Sequence, residues 1–420
     1  MARAENGLLP GWPGRAQDPT GHFTDLQWYF YHQRAMAYFG AFTKEAYDEE
    51  RLLEFTRNLL TAAPAFNNIS GASLPGDDVL RGLGSIGTVP SFEGFPDKWT
   101  NIESQVMGDP ELPMVRIRVA QLADGPDAEG RQSFILVQVA HALSEGSDSA
   151  RLSRSRAASH EEMREAAPIP PRWAWPARVL GFFHVLGHLA LAHIWTPHRG
   201  RVRLASRTLS RQAIRELAYG LGVSQRGLML ALVARVIAHG GTASAPRWIS
   251  TAHTTLASGG GVHRDRFMRM RIIYGKLKNR PDLCSFVRSV DADVRTHEAN
   301  ETGFQSELKA TTLRGLRRFS RIAPFLYSPK LFAFWPYGII FSLLTPHQIA
   351  GDLTAGMLEP VYCGTSIPGL NGCIVVPGRE WVTFNFFVEE HMLPQVSRLD
   401  DAIAELSGDV NNSHPKGLEP

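Results

Sequence analysis

The segment Val139-Ala140-His141-Ala142-Leu143-Ser144-Glu145-Gly146 carries the sharpest chemical signal of the sequence. An apolar, β-branched run, Phe134 to Ala140, has strand length and ends at the imidazole of His141. A histidine held at the carboxyl end of a rigid strand is well placed as a general base, because imidazole titrates near neutrality. Four residues on, Glu145 offers a carboxylate that can lock a tight turn by binding a basic side chain, and Gly146 lets the chain reverse. The plainer alternative is a buried histidine bonded to backbone.

Other spacings carry less. Gly82-Leu83-Gly84-Ser85-Ile86-Gly87 fits G-x-G-x-x-G, but a dinucleotide site needs a strand before it and a helix after it. Pro90 follows almost at once, so a glycine-rich loop is expected. His184 and His188 would share a helix face, yet His193 falls off that face and acids are absent from 166–212. Amphipathic packing therefore outweighs metal binding, and no metal site is expected. Arg264, Arg266, Arg269, Arg271, Lys276, Lys278 and Arg280 suit either phosphate groups or a solvated strand face.

The elements that must position such groups follow from periodicity. A helix is expected over roughly 47–62, with Leu52, Leu53, Phe55, Leu59 and Leu60 on one face. Residues 70–112 read as loops with short strands, and Met114–Val119 alternates as a strand. Ser210 and Ser224 can cap two helices, the second almost wholly apolar from Leu228 to Ala238 apart from Arg235. Strands are expected near 247–257, 267–274, 358–363, 372–377 and 381–388, and helices after Pro281 and near 397–407. Both halves mix strands and helices at similar size, which indicates two α+β lobes.

Composition agrees with a folded enzyme-sized chain. Of 420 residues, 44% are hydrophobic and 20% charged, and 44 basic against 41 acidic residues leave a net charge of +3, too small an excess for a nucleic-acid protein. Three cysteines, none in a C-x-x-C pair, suit a reducing compartment, and the opening MARAENGLLPGWPGRAQ lacks a signal-peptide core. A cytoplasmic location is expected, with a qualification at the membrane surface. Val179–Trp195 is uncharged, too short to span a bilayer, and flanked by Trp173, Trp175, Arg172, Arg178 and Arg199. That pattern suits a helix lying in the membrane interface, or a core helix. Phe325–Leu344, preceded by Arg314, Arg317, Arg318 and Arg321, is either a lipid-facing surface or a lobe interface.

The histidine segment resembles the H-H-x-x-x-D-G motif of the CoA-dependent acyltransferase superfamily. The similarity is closest to the bacterial wax ester synthase/diacylglycerol acyltransferases. It extends over Asp25–Ser70, Phe92–Ser149, Leu209–His239, Ile249–Arg295 and Ile340–Leu406. The departures are specific: the first motif histidine is Ala140, the aspartate is Glu145, and the family's Asn-Asp pair falls at Gln225-Arg226. The position of the family's Ser-Asn-x-Pro-Gly segment is taken by Phe341–Pro346.

The resemblance implies an α+β fold of two chloramphenicol-acetyltransferase-like lobes, each a mixed sheet with helices, and a tunnel between them. The chain then divides into a flexible arm (1–20), an N-terminal lobe (21–150), a linker with the apolar helix (151–200), a C-terminal lobe (201–410) and a tail (411–420). It further implies an O-acyltransferase that joins an acyl group to a long-chain alcohol or diacylglycerol, with acyl-CoA as substrate and no other cofactor. His141 would be the base, Glu145 and Gly146 would hold its loop, and Ser342 or Thr345 would donate to the oxyanion. Arg264, Arg266, Lys276 and Lys278 would meet CoA phosphates. The expected partners are those two substrates and a peripheral membrane or lipid-droplet surface, on the inner face of the membrane. Two alternatives stand beside this one: acylation or condensation on a polyketide, sugar or amine acceptor, and a non-catalytic lipid-binding relative, which the changes at Ala140 and Glu145 would suit.

Overall fold

The computed structural model describes residues 36–62, 76–95, 115–140, 175–176, 178–183, 186, 202–238, 248–253, 269–273, 282–299, 311–312, 314–319, 338–343, 357–366 and 371–413. In these residues the chain builds two mixed sheets with helices, one for each lobe.

The first lobe holds β1 (Met36–Thr43), α1 (Glu49–Ala62), α2 (Asp77–Leu83), β2 (Gly84–Val89), β3 (Val115–Leu122) and β4 (Ser133–Ala140). Strand β4 is buried on both faces from Ser133 to Val139, as its run of apolar residues requires of a central strand. It pairs antiparallel with β1 on one side and β3 on the other. Helix α1 buries Leu52, Leu53, Leu59 and Leu60. The glycine-rich segment 82–87 is not a loop: Gly82 and Leu83 end α2, and Gly84 opens β2, which runs parallel to β3. Helix before strand reverses the order that a phosphate-binding turn needs.

The second lobe begins with β5 (Val202–Ser210), α3 (Arg211–Leu221), α4 (Gln225–Ala238), β6 (Trp248–His253), β7 (Arg269–Ile273), α5 (Leu283–Ala299) and β8 (Gly338–Leu343). It closes with β9 (Met357–Ser366), β10 (Asn371–Pro377), β11 (Trp381–Glu389), α6 (Leu393–Val396) and α7 (Arg398–Ser413). Its sheet has the order β5-β11-β10-β8-β6-β7. Helices α3, α4, α5 and α7 cover one face, packing on Phe341, Cys373, Val375, Phe384 and Phe386. Among the described residues no single helix is long and apolar enough to cross a membrane; α3 and α4 pass only as a pair bent by 99°. Leu228 to Ala234 of α4 are all buried in this helical core.

Helix α4 starts where the sequence places its cap. Ser224 Oγ accepts from the Gly227 amide (3.0 Å). Ser224 in turn is held by the buried Asp291 of α5, which accepts from its amide (3.1 Å) and its hydroxyl. Arg295 Nε donates to the other Asp291 oxygen at 2.8 Å. Gly227 is obligatory here, because a methyl group at this position would collide with Asp291 Oδ1. The Asp291→Ala variant should therefore lose about 2–3 kcal/mol of unfolding free energy in urea titration, since it leaves a buried amide and hydroxyl without their acceptor.

Strand β9 does not follow chain order. It lies between β8 and β10 in sequence, within the 201–410 half, yet it forms the edge of the first sheet, whose order is β2-β3-β4-β1-β9. Its ladder with β1 runs from Met36↔Ser366 to Thr43↔Met357, with a register shift between Ala41 and Phe42. The second lobe thus lends a strand to the first, and that strand forms the seam between them.

Candidate active site

Three strands fix the seam. Strand β4 ends at Ala140, which is paired with Met36 of β1. Met36 is paired in turn with Ser366, the last residue of β9. The chain position that follows Ala140, the last described residue of β4, is His141. His141, Glu145 and Gly146 themselves lie outside the described residues, as do Thr345, Arg264, Arg266, Lys276 and Lys278.

Strand β9 packs on the second sheet through two close contacts. Gly364 lies against Leu204 of β5, so near that a Cβ there would stand 2.7 Å from Leu204 Cδ2. Cys363 Sγ receives a long hydrogen bond (3.7 Å) from Asn385 Nδ2 of β11. Asn385 is buried between Phe384 and Phe386, which belong to the helix-covered core, so its amide points to the opposite face of the sheet. That amide also donates to the Ile374 carbonyl (3.2 Å) and accepts from Ser206 Oγ (2.8 Å).

The predicted oxyanion donor Ser342 belongs to this same row. It sits inside β8, between parallel partners β10 and β6, and is paired with Ile374, which is paired with Asn385, which is paired with Ser206. Phe341 and Leu343 face the helices, so Ser342 shares the face on which β9 lies. Ser342, Ile374, Asn385 and Ser206 form an uncharged row, with Ile374 and Ser206 partly open to solvent.

A second hydroxyl was not anticipated from sequence. Thr365 of β9 is 6% exposed, and its Oγ1 has no hydrogen-bond partner among the described residues. Alternation puts it on the face of β9 that carries Cys363, one residue from the end of the ladder that leads to Ala140. Nothing in the local sequence marks it, since its position follows from the pairing of β9 with β1.

The thiols of Cys363 at the seam and Cys373 in the helix-covered core are poor nucleophiles. Burial pushes the Cys363 thiol far above its ordinary range, and burial with the neighbouring Cys363 does the same to Cys373. Among the described residues no group of three or more His, Cys, Asp or Glu side chains could hold a metal ion.

No family model and no curated protein matches the sequence. Solved structures do match over almost the whole chain. The wax ester synthase/diacylglycerol acyltransferase from Marinobacter aquaeolei VT8 is 12% identical, with a TM-score of 0.53 over 93% of this chain and 99% of its own. The trichothecene 15-O-acetyltransferase TRI3 from Fusarium sporotrichioides is 11% identical, with a TM-score of 0.55 over 97% of this chain and 98% of its own. The nonribosomal peptide synthetase FmoA3 is 13% identical, with a TM-score of 0.52 over 98% of this chain and 47% of its own. With its two mixed sheets and their helices, the chain has the two-lobed chloramphenicol-acetyltransferase-like fold that these structures share.

Proposed function

We propose that this protein transfers an acyl group from coenzyme A to the hydroxyl of a hydrophobic alcohol, a long-chain alcohol or a diacylglycerol, with His141 as general base. The observation that carries the reading is the ladder Ala140–Met36–Ser366, which brings the end of the histidine strand to the seam strand of the two lobes. The imidazole takes the hydroxyl proton as the alcohol oxygen attacks the thioester carbonyl. The tetrahedral intermediate collapses, the carbon–sulfur bond breaks, and the imidazolium returns the proton to the departing thiolate. No acyl-enzyme forms, which fits a seam whose thiol stays protonated. Glu145 and Gly146 hold the loop that follows His141, and Arg264, Arg266, Lys276 and Lys278 meet the phosphates of coenzyme A.

The oxyanion needs a hydroxyl or amide donor already in place. Thr365 offers a buried one with no hydrogen-bond partner among the described residues, and Ser342 lies across the seam on the second sheet. Thr345 is the further candidate in that segment. The uncharged row Ser342–Ile374–Asn385–Ser206 favours an apolar acceptor over an ionic one.

The test is direct. Incubation with acyl-CoA and either hexadecanol or a diacylglycerol should release free coenzyme A and give a matching ester by mass spectrometry. Release only with a sugar, polyketide or amine acceptor would move the reaction to the condensation class, and no release with any acceptor would mark a non-catalytic relative. Within the active reading, Thr365→Val should lower kcat on the order of 10²-fold with KM for acyl-CoA little changed, whereas Thr365→Ser should retain most of the rate. The valine variant should unfold at the same or a higher temperature, because it removes a buried hydroxyl that has no partner among the described residues.

A further inference from the structure

A buried carboxamide ties the seam strand to the second sheet. Asn385 of β11 is 2% exposed, and Thr383 and Phe387 on the same face of the strand are buried with it. Packing alone asks for an apolar side chain here, because a buried amide costs free energy unless its hydrogen bonds are made. In Asn385 they are made in three directions. Nδ2 donates to the Ile374 carbonyl of β10 at 3.2 Å and to Cys363 Sγ of β9 at 3.7 Å. Oδ1 accepts from Ser206 Oγ of β5 at 2.8 Å. The bonds to Ile374 and Ser206 stay within the second sheet and fix the plane of the carboxamide. The bond to Cys363 crosses to the strand that the first sheet has taken in.

That crossing falls beside the hydroxyl proposed to hold the oxyanion. Cys363 and Thr365 lie on one face of β9, roughly 7 Å apart along the strand. Between them Gly364 faces the other way and is fitted against Leu204 of β5, where a Cβ would have no room. Two consecutive residues of β9 are thus held against the second sheet, one by shape and one by a hydrogen bond. The ladder of β9 with β1 is unbroken from Val361 to Ser366, its register shift falling between Leu358 and Val361. A displacement at Cys363 is therefore passed along the strand to Thr365. An oxyanion donor acts only within a few tenths of an ångström of its place, and a misplacement of about 1 Å costs on the order of a hundredfold in rate.

We infer that Asn385 is a positioning residue for acyl transfer: through Cys363 it sets the place of β9, so that Thr365 Oγ1 meets the developing oxyanion. The inference rests on the acyltransferase reading and on Thr365 as the donor. Asn385 itself touches no reacting atom in this scheme.

The experiment follows coenzyme A release from hexadecanoyl-CoA, with hexadecanol or a diacylglycerol as acceptor, in the full-length protein. Asn385→Leu should lower kcat about ten- to a hundredfold with KM for acyl-CoA little changed. Cys363→Ala leaves both bonds within the second sheet in place and should lower kcat about three- to tenfold. Cys363→Ser keeps an acceptor and should recover most of the rate. In a Thr365→Val background Cys363→Ala should have no further effect on kcat, because a donor that is gone cannot be misplaced. Should Asn385→Leu not fold, the cysteine variants decide the matter. A folded Cys363→Ala enzyme with the wild-type kcat would overturn the inference. So would an equal fold-loss from Cys363→Ala with and without the Thr365 hydroxyl, since the thiol would then support the seam without placing the donor. A wild type that releases no coenzyme A with any acceptor is a different failure: it removes the acyltransferase reading, and the inference with it, before any variant is compared.

Discussion

Replacing His141 with asparagine is expected to lower the turnover of acyl transfer by about two to four orders of magnitude, the range that a positioned general base contributes. Asparagine keeps a polar side chain of similar reach but cannot accept the hydroxyl proton near neutrality. The substitution falls just beyond the last ladder residue of β4, whose pairing with Met36 is made by backbone and does not need the ring. Urea unfolding should therefore change by less than about 1 kcal/mol, as at most positions outside a packed core. The wild-type rate should fall at acid pH, because a protonated ring cannot accept a second proton, and this acid limb should be absent from the residual activity of the variant. Unchanged turnover in a correctly folded His141→Asn protein would remove the base from the mechanism and, with it, the proposed chemistry. The change at Ala140 bears on the same point: where the family motif has its first histidine, this chain has a small residue closing a strand, so the departure costs a side chain and leaves the ladder intact.

What was legible in the sequence was local. The β-branched runs of β3 and β4 and the capped helices α3 and α4 stand where periodicity and Ser210 and Ser224 place them. Strands β1, β5 and β8 were not read from pattern. In β1 the small residues Ala37, Gly40 and Ala41 depress strand propensity, yet Gly40 is what gives Phe134 room. In β5 the stretch VRLASRTLS mixes polar residues onto both faces, and in β8 the strand lies inside an aromatic stretch that also suits a lipid-facing or lobe-interface segment. The segment 82–87 belongs with them, since a glycine spacing that suggests a loop is a helix–strand junction in which Gly84 is fitted against Leu52. Of the candidate site, local sequence points to the strand that ends before His141, itself outside the described residues, and to Ser342 of β8. Thr365 and Asn385 acquire their place from pairings remote in sequence, Thr365 with Ala37 and Asn385 with Ser206, and no local spacing encodes such pairing.

The seam also has a structural anchor, and its removal should cost the most stability. Phe134 is fully buried in β4. Its ring lies 5.0 Å from Phe42, 5.8 Å from Phe95 and 6.1 Å from Tyr362, the last on the seam strand β9. Arg131 caps the cluster with its guanidinium 4.7 Å from the Phe42 ring, held by Asp127 at 2.8 Å. The Phe134→Ala variant should lose about 3–5 kcal/mol of unfolding free energy, the transfer cost of the ring plus the cavity it leaves. Gly40 makes the prediction sharper. A Cβ at Gly40 would stand 2.7 Å from Phe134 Cζ, so Gly40→Ala alone should be destabilising by about 1–3 kcal/mol through overpacking. Combined with Phe134→Ala, the same methyl group enters the vacated space, and the double variant should be more stable than the sum of the single losses predicts by about 1 kcal/mol or more. Simple additivity in a urea double-mutant cycle would show that the two side chains do not share this space. Coupling of the expected sign would place the packing that joins β4 to β9 under Phe134, at the opposite end of the strand from the histidine, so that the cluster can be weakened without altering the residues proposed to carry the chemistry.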